Sequence, residues 1–292
     1  MPSGDTFVTT VDEGLNTMVA SARGTREFPT DVMPRVVDRQ TLAEGTGTAW
    51  REFLAAQLTA QNYGETDDID NPQEFDGSIL SATPQLVAIQ TFIGDRVKLR
   101  LSPKAFDTFG NLAQNAIQRK KDRDGLTQFA SATTTLCGTG TTLSTGHILA
   151  GVRRITSNAT EPGPMPVAIV LHGIALHDVQ LEILSGLGTY PIPEGMSQEV
   201  FRNGFKGMIG DANIYEDGNI TIDSTPDVRG GVFSKMAYIL VQGKSPWQDK
   251  RYEPQKGYGG WNVWLKDEYV YAERSAGNWA FGLLSDGTQP TS

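Results

Sequence analysis

The chain has 292 residues, 38% of them hydrophobic and 20% charged, with a formal net charge of −9. That length supports one large domain or two small ones, and the acidic balance excludes a surface that grips nucleic acid by neutralising its phosphates, though not a protein that encloses it. The single cysteine, Cys137, excludes an intramolecular disulfide framework and fits a reducing compartment. No secretory leader is read at the N-terminus and no apolar run approaches the ~18 residues of a membrane span. Folding in the cytosol is the expectation.

Residues 1–45 are polar, with no sustained hydrophobic period; Gly24, Pro29 and Pro34 limit any helix to a short one built on Leu15, Met18, Val19 and Ala22. The segment reads as an extended arm that needs a partner surface. Residues 46–101 read as a long hairpin with a strongly acidic tip. Glu65, Asp67, Asp68, Asp70, Glu74 and Asp76 are accompanied by no Lys or Arg between Gln61 and Asp76. The return segment, Pro84 to Leu101, is rich in β-branched residues. It ends in period-2 alternation, with Val97, Leu99 and Leu101 on one face and Lys98 and Arg100 on the other. A hairpin with so few core-sized side chains near its tip is not stable alone. It must lie on something else, and another copy of the chain is one such surface.

Ser102-Pro103 carries the cap and first-turn chemistry of a helix start. Phe106, Phe109, Leu112, Ala113, Ala116 and Ile117 then share one helical face, followed by the charged run Arg119-Lys-Lys-Asp-Arg-Asp124. The helix is expected to reach about residue 131, weakened at Gly125. A Ser/Thr/Gly-rich loop leads to Ser144 or Thr145 as cap of a second helix on Ile148, Leu149, Val152 and Ile155. Glu161-Pro-Gly-Pro-Met-Pro166 is a strong breaker. Val167 to His172 is a continuous apolar run of strand length, hence a central strand. A helix on Leu176, Val179, Ile183 and Leu184 follows, then a Gly/Pro loop over 186–195 and a short helix over 198–203. Strands are expected at 208–215, 232–241, 261–265, 268–273 and 279–284. Four of the five tryptophans, Trp247, Trp261, Trp264 and Trp279, fall in this last part, and burial of Trp261, Trp264 and Trp279 is expected.

The chemistry-bearing residues are sparse. His172 and His177 are five apart, beside Asp178, where a zinc helix needs two His at i and i+4 with a Glu between. No nucleophile elbow, phosphate-binding loop or dinucleotide fingerprint is present. Asp211, Asn213 and Asp217 miss the glycine of a calcium loop, which here is Glu216. Cys137 has no activating neighbour in sequence. The expectation is no enzyme, no cofactor and no metal. The acidic tip reads as a solvated loop or a partner for a basic surface. Arg119, Lys120, Lys121 and Arg123 are the first candidate for that surface, and Lys250 with Arg251 the second.

The order of arm, hairpin, long helix, Val-Ala-Ile-Val-Leu-His172 with the helix after it, the glycine-started strand Gly207 to Tyr215, and closing strands Glu268 to Leu284 resembles the major capsid proteins of tailed bacteriophages, the Hong Kong 97-type fold. The resemblance implies an α+β subunit with an N-terminal arm (1–45), an E-loop hairpin (46–101), a spine helix and peripheral domain (102–160), an axial domain (161–254) and closing peripheral strands (255–292). It implies a structural protein of the virion capsid, assembled in the host cytoplasm as hexamers and pentamers of an icosahedral head. Such a head encloses double-stranded DNA without sequence-specific binding, and scaffolding, portal and decoration proteins would be further partners. It implies no membrane. The alternatives are an encapsulin-like compartment shell and, from a different class, a small hydrolase using His172, His177 and Asp178.

Overall fold

The computed structural model describes residues 31–65, 72, 74, 76–100, 103–132, 134–186, 207–257, 259–275 and 277–290. The N-terminal amphipathic segment at 15–22, the Ser102 cap and the 187–203 region lie outside them, as do the side chains of Phe106 and Phe109. The elements run α1 (Met33–Val36), β1 (Asp38–Thr41), β2 (Trp50–Ala55), β3 (Gly77–Ala82), β4 (Gln85–Gly94), α2 (Asp95–Arg100), α3 (Pro103–Leu126), α4 (Gln128–Ser131) and β5 (Thr135–Cys137). They continue α5 (Thr145–Thr156), β6 (Val167–Leu171), α6 (Gly173–Gly186), β7 (Met208–Ile209), β8 (Ala212–Glu216), β9 (Asp227–Ser234), β10 (Tyr238–Tyr252), β11 (Gly260–Glu273) and β12 (Ala280–Asp286). The class is α+β, as the sequence indicated.

A six-stranded sheet has the order β5-β12-β9-β6-β8-β7. All five residues of β6 are buried, which is why its sequence shows no alternation: it pairs with β9 on one side and β8 on the other and is covered on both faces. Helix α5 packs on this sheet through Ile148, Val152 and Ile155, each 0% exposed. Its start is the expected one. Ser144 caps it by accepting from the His147 amide, and the His147 ring accepts from the Ser144 amide in return. Phe129 of α4, Phe233 and Tyr238 form a cluster of tilted and edge-on rings, with centroids 5.4 to 6.1 Å apart, that joins the helical segment to this sheet.

A second, four-stranded sheet has the order β1-β10-β11-β4. Alternation divides its faces. Leu240, Tyr269 and Tyr271 point toward α3 and the main core, whereas Ile239 and Val241 point the other way, onto Ala82, Trp50 and Leu42 at the root of the β2–β3 ribbon. The sheet is thus roofed by a helix on one side and by the ribbon root on the other. Helix α3 approaches closely at Gly125: a Cβ there would lie 2.8 Å from Met33 Cβ and 3.0 Å from the Tyr271 ring.

Several expectations change. The return segment expected over Pro84 to Leu101 is not the second strand of the hairpin: β2 pairs with β3, which precedes it, and the segment itself holds β4, an edge of the four-stranded sheet, and α2. Residues 95–100 are helix, not strand. The ladder with β11 ends at Gly94 opposite Gly260, and the Asp95 amide donates to the Gly259 carbonyl. With no partner strand beyond that point the chain turns helical, Asp95 sits in the first turn where a negative charge is favoured, and Leu99 is left 87% exposed. The single strand expected over 208–215 is a hairpin turned at Gly210 and Asp211, both at positive φ. That over 232–241 is β9 and β10 joined by a tight turn, and 261–273 is one continuous strand. Residues 32–41 are not a detached arm. Val32, Met33, Val36 and Val37 sit in the core and β1 pairs parallel with β10. Trp261, Trp264 and Trp279 are only half-buried.

Candidate assembly surfaces

The ribbon is anchored at its root by Arg274, which follows β11 and is 5% exposed at its side chain. Its guanidinium donates to Asp38 Oδ2 of β1 at 2.6 Å, to Glu52 Oε2 of β2 at 2.7 Å and to the Met236 carbonyl at 3.3 Å. One planar cation therefore ties the sheet edge, the hairpin and the β9–β10 turn together. Nothing in the local sequence around Arg274 marked it, because its partners are far away in the chain.

Beyond the root the ribbon carries apolar side chains on its outer face. Phe53 and Ile79 stand opposite each other and are 51% and 64% exposed. Every residue from Ala55 to Glu65 is exposed, including Leu58 and Tyr63. Of the tip carboxylates, Glu65, Glu74 and Asp76 are exposed, and Asp67, Asp68 and Asp70 lie outside the described residues.

The basic run on α3 is largely spent inside its own subunit. Lys121 lies one turn after the buried Ile117 and on the same helical face. Its ammonium reaches Asp267 at 3.0 Å with side-chain exposures of 13% and 2%, and sits 4.7 Å from the Tyr269 ring centroid. Lys120 pairs with Asp124 at 2.9 Å, and Asp124 also accepts from the Tyr269 hydroxyl at 2.9 Å. Asp122 is fully buried. The run is a fastening between α3 and the four-stranded sheet, and only Arg123 and Lys120 are exposed in it, with Arg119 half-buried.

Lys250 and Arg251 are exposed near the end of β10, in a zone where lysines and aromatic rings alternate. Lys250 lies 6.0 Å from the Trp261 ring and Lys98 5.7 Å from it. Lys244 lies 4.4 Å from Trp247, and Lys266 lies near Trp247 and Trp264 while pairing with Asp249 at 2.6 Å. Of the two candidate basic surfaces, this one keeps more charge available to a partner.

His172 and His177 have separate local surroundings. His172 Nδ1 accepts from the Ile174 amide at 3.2 Å, capping the start of α6, and burial lowers its pKa. His177 lies 4.0 Å from Asp178, whose pKa burial raises. Among the described residues no three His, Cys, Asp or Glu side chains gather as metal ligands. Cys137 has its thiol against the Thr141 and Thr142 carbonyls, and burial raises its pKa, opposite to the shift that activates a nucleophile. No helix among the described residues is long and apolar enough to cross a membrane.

No protein-family model and no curated protein matches the sequence. Solved structures do match the fold. The capsid asymmetric unit of cyanophage Pam1 superposes with a TM-score of 0.70 at 9% identity, covering 92% of this chain and 96% of that chain. A structure from Mycobacterium phage Che8 does so at 0.68 and 14% identity, covering 90% and 94%. The holo-SrpI encapsulin complex of Synechococcus elongatus gives 0.59 at 9% identity, covering 95% and 97%. The chain has the α+β fold of these shell subunits along almost its whole length, the Hong Kong 97-type fold that the sequence resembles.

Proposed function

We propose that this chain is a major capsid protein that assembles into the icosahedral head of a tailed phage and has no catalytic activity. The observation that carries the reading is a capsid-subunit fold covering about nine-tenths of the chain, with coverage of 92% and 96% in the cyanophage Pam1 comparison. The ribbon agrees with it. An extended element with Phe53 and Ile79 exposed makes a heterologous contact, which propagates into rings and lattices instead of closing as a dimer. Hexamers and pentamers are the assembly units of this reading, with scaffolding, portal and decoration proteins as partners, DNA as contents and the host cytoplasm as the place of assembly. Overexpressed protein, alone or with a scaffold, should sediment and image as shells, capsomers or polyheads. A folded monomer under all these conditions would overturn the reading. The encapsulin likeness supports a second reading, a compartment shell. Purified particles distinguish the two, since one holds nucleic acid and the other a protein cargo.

Within this reading the acidic tip of one copy lies against the basic surface of the next. Asp67→Lys with Asp68→Lys is expected to slow or misdirect assembly at low salt. Rescue is expected from Lys250→Glu with Arg251→Glu, not from changes at Lys121, which already serves Asp267. Each exposed pair is worth only about 0–1 kcal/mol, but a lattice repeats the contact many times. Light-scattering kinetics measure it. Wild-type assembly by the tip variant would reduce the tip to a solvated loop.

A further inference from the structure

Where α3, α1 and the end of β8 meet, the core contains a carboxyl pair that takes no part in the surfaces described above. Asp122 and Asp217 are both 0% exposed. Asp122 Oδ1 accepts from the Met33 amide at 2.9 Å and its Oδ2 from the Asn219 side-chain amide at 2.9 Å. Asp217 Oδ1 accepts from the Asn219 amide at 2.8 Å, while its Oδ2 is buried with no hydrogen-bond partner. The Asp122 carboxylate lies beside it. Two buried carboxylates side by side do not both ionise without a cation between them. Among the described residues no third ligand joins them as a metal site, and both oxygens of Asp122 are already occupied by N–H donors. A proton on Asp217 is the compensation that the geometry leaves.

We infer that Asp122 and Asp217 form a one-proton joint between helix α3 and the six-stranded sheet, and that the joint opens by releasing this proton to water. No other bond changes: the closed form is one carboxylic acid and one carboxylate, and the open form is two solvated carboxylates. The groups that face the pair support the closed form. Asp31, before α1, adds negative charge near Asp217. Tyr271 of β11 presents a buried hydroxyl with no partner, kept neutral by burial and by Asp122, with Tyr269 and Asp124 acting in the same sense. Arg39 of β1 acts on the Tyr271 hydroxyl in the opposite sense.

Burial first, and Asp122 second, push the Asp217 carboxyl up from 3.8 to about 8. An opened joint titrates near the ordinary value. Closing therefore takes up a proton throughout the interval between the two, so the stability of the closed joint is complete at the acid end and is lost as pH rises toward about 8. Above that both forms are ionised and this pair adds no further pH dependence. The opening equilibrium rises about tenfold per pH unit in this interval. Mildly alkaline solution thereby raises the population of the opened joint between α3, α1 and the β8 end.

Asp217→Asn tests this, since an amide keeps the acceptor for Asn219 and places a neutral N–H donor beside Asp122 where the acid would carry its proton. Hydrogen exchange at the Met33 amide, compared between wild type and variant, reads the opening, because intrinsic base catalysis cancels in the ratio. The wild-type-to-variant ratio should climb about tenfold per pH unit and level off near pH 8. A ratio independent of pH would overturn the proposal. A second reading needs only the wild type. Difference infrared spectra should show the carbonyl stretch of a buried carboxylic acid at about pH 6 and lose it at about pH 9.5. Its absence at the lower pH would overturn the proposal even if the variant failed to fold.

Discussion

Arg274→Met lowers the stability of the subunit by about 3 kcal/mol, the low end for breaking a buried ion pair, because Glu52 keeps some access to water. The loss is more than that of a cation. Met fills the volume but leaves Asp38, 18% exposed at its side chain, and Glu52 facing each other across the ribbon root without a donor, and it leaves the Met236 carbonyl short of one. Arg274→Lys should recover only part, because a single ammonium cannot hold two carboxylates and a carbonyl in one plane. The denaturant midpoint measures the stability term. Limited proteolysis within residues 56–65 measures the structural one, since a ribbon detached at its root becomes a better substrate. Glu52→Gln in the Arg274→Met background should return part of the loss, and an additive double mutant would show that the two side chains do not act together.

That residue illustrates which parts of the molecule were readable beforehand. Local signals were: the uninterrupted apolar run at 167–171 became the buried strand β6, and Ser144 became the cap of α5. The failures have a common cause, a partner remote in sequence. Val97, Lys98, Leu99 and Arg100 alternate like a strand, but four residues are too few to separate the two periods. What decided the matter was the end of the β11 ladder at Gly260. The charged run at 119–124 read as a basic surface open to a partner because Asp267, Tyr269, Met33 and Asn219 come from other segments. The helical period did hold a clue: Ile117, Lys121 and Gly125 share a face, and a lysine between a buried isoleucine and a close-packing glycine turns inward. An extended hairpin was legible in this region, but its return strand was not: β3 at 77–82 pairs with β2, while 85–94 pairs with the remote β11. That its root is roofed on the sheet by Trp50, Leu42 and Ala82 was not.

Ending the chain at Gly260 abolishes soluble expression, whereas ending it at Thr288 leaves folding and assembly intact. The large deletion removes the two strands on which both sheets depend. β11 lies between β10 and β4, so without it the four-stranded sheet is cut in two, with β4 left unpaired. β12 lies between β5 and β9, and its loss uncovers Phe129 and Phe233 in the main core. Four buried side chains, Tyr269, Tyr271, Phe281 and Leu283, go with these strands. At roughly 1.5–3 kcal/mol for each large side chain, they sum to about 6–12 kcal/mol, comparable with the whole stability of a domain. Arg274 is lost as well, so the ribbon root is released in the same step. The small deletion touches none of this. Asp286 still accepts from the Thr288 amide and hydroxyl, and Gln289 and Pro290 are exposed. The soluble fraction and the particle yield of the two truncations are the measurements. Assembly by the chain ending at Gly260 would mean that the closing strands are an accessory to the fold and not the element that joins its two sheets.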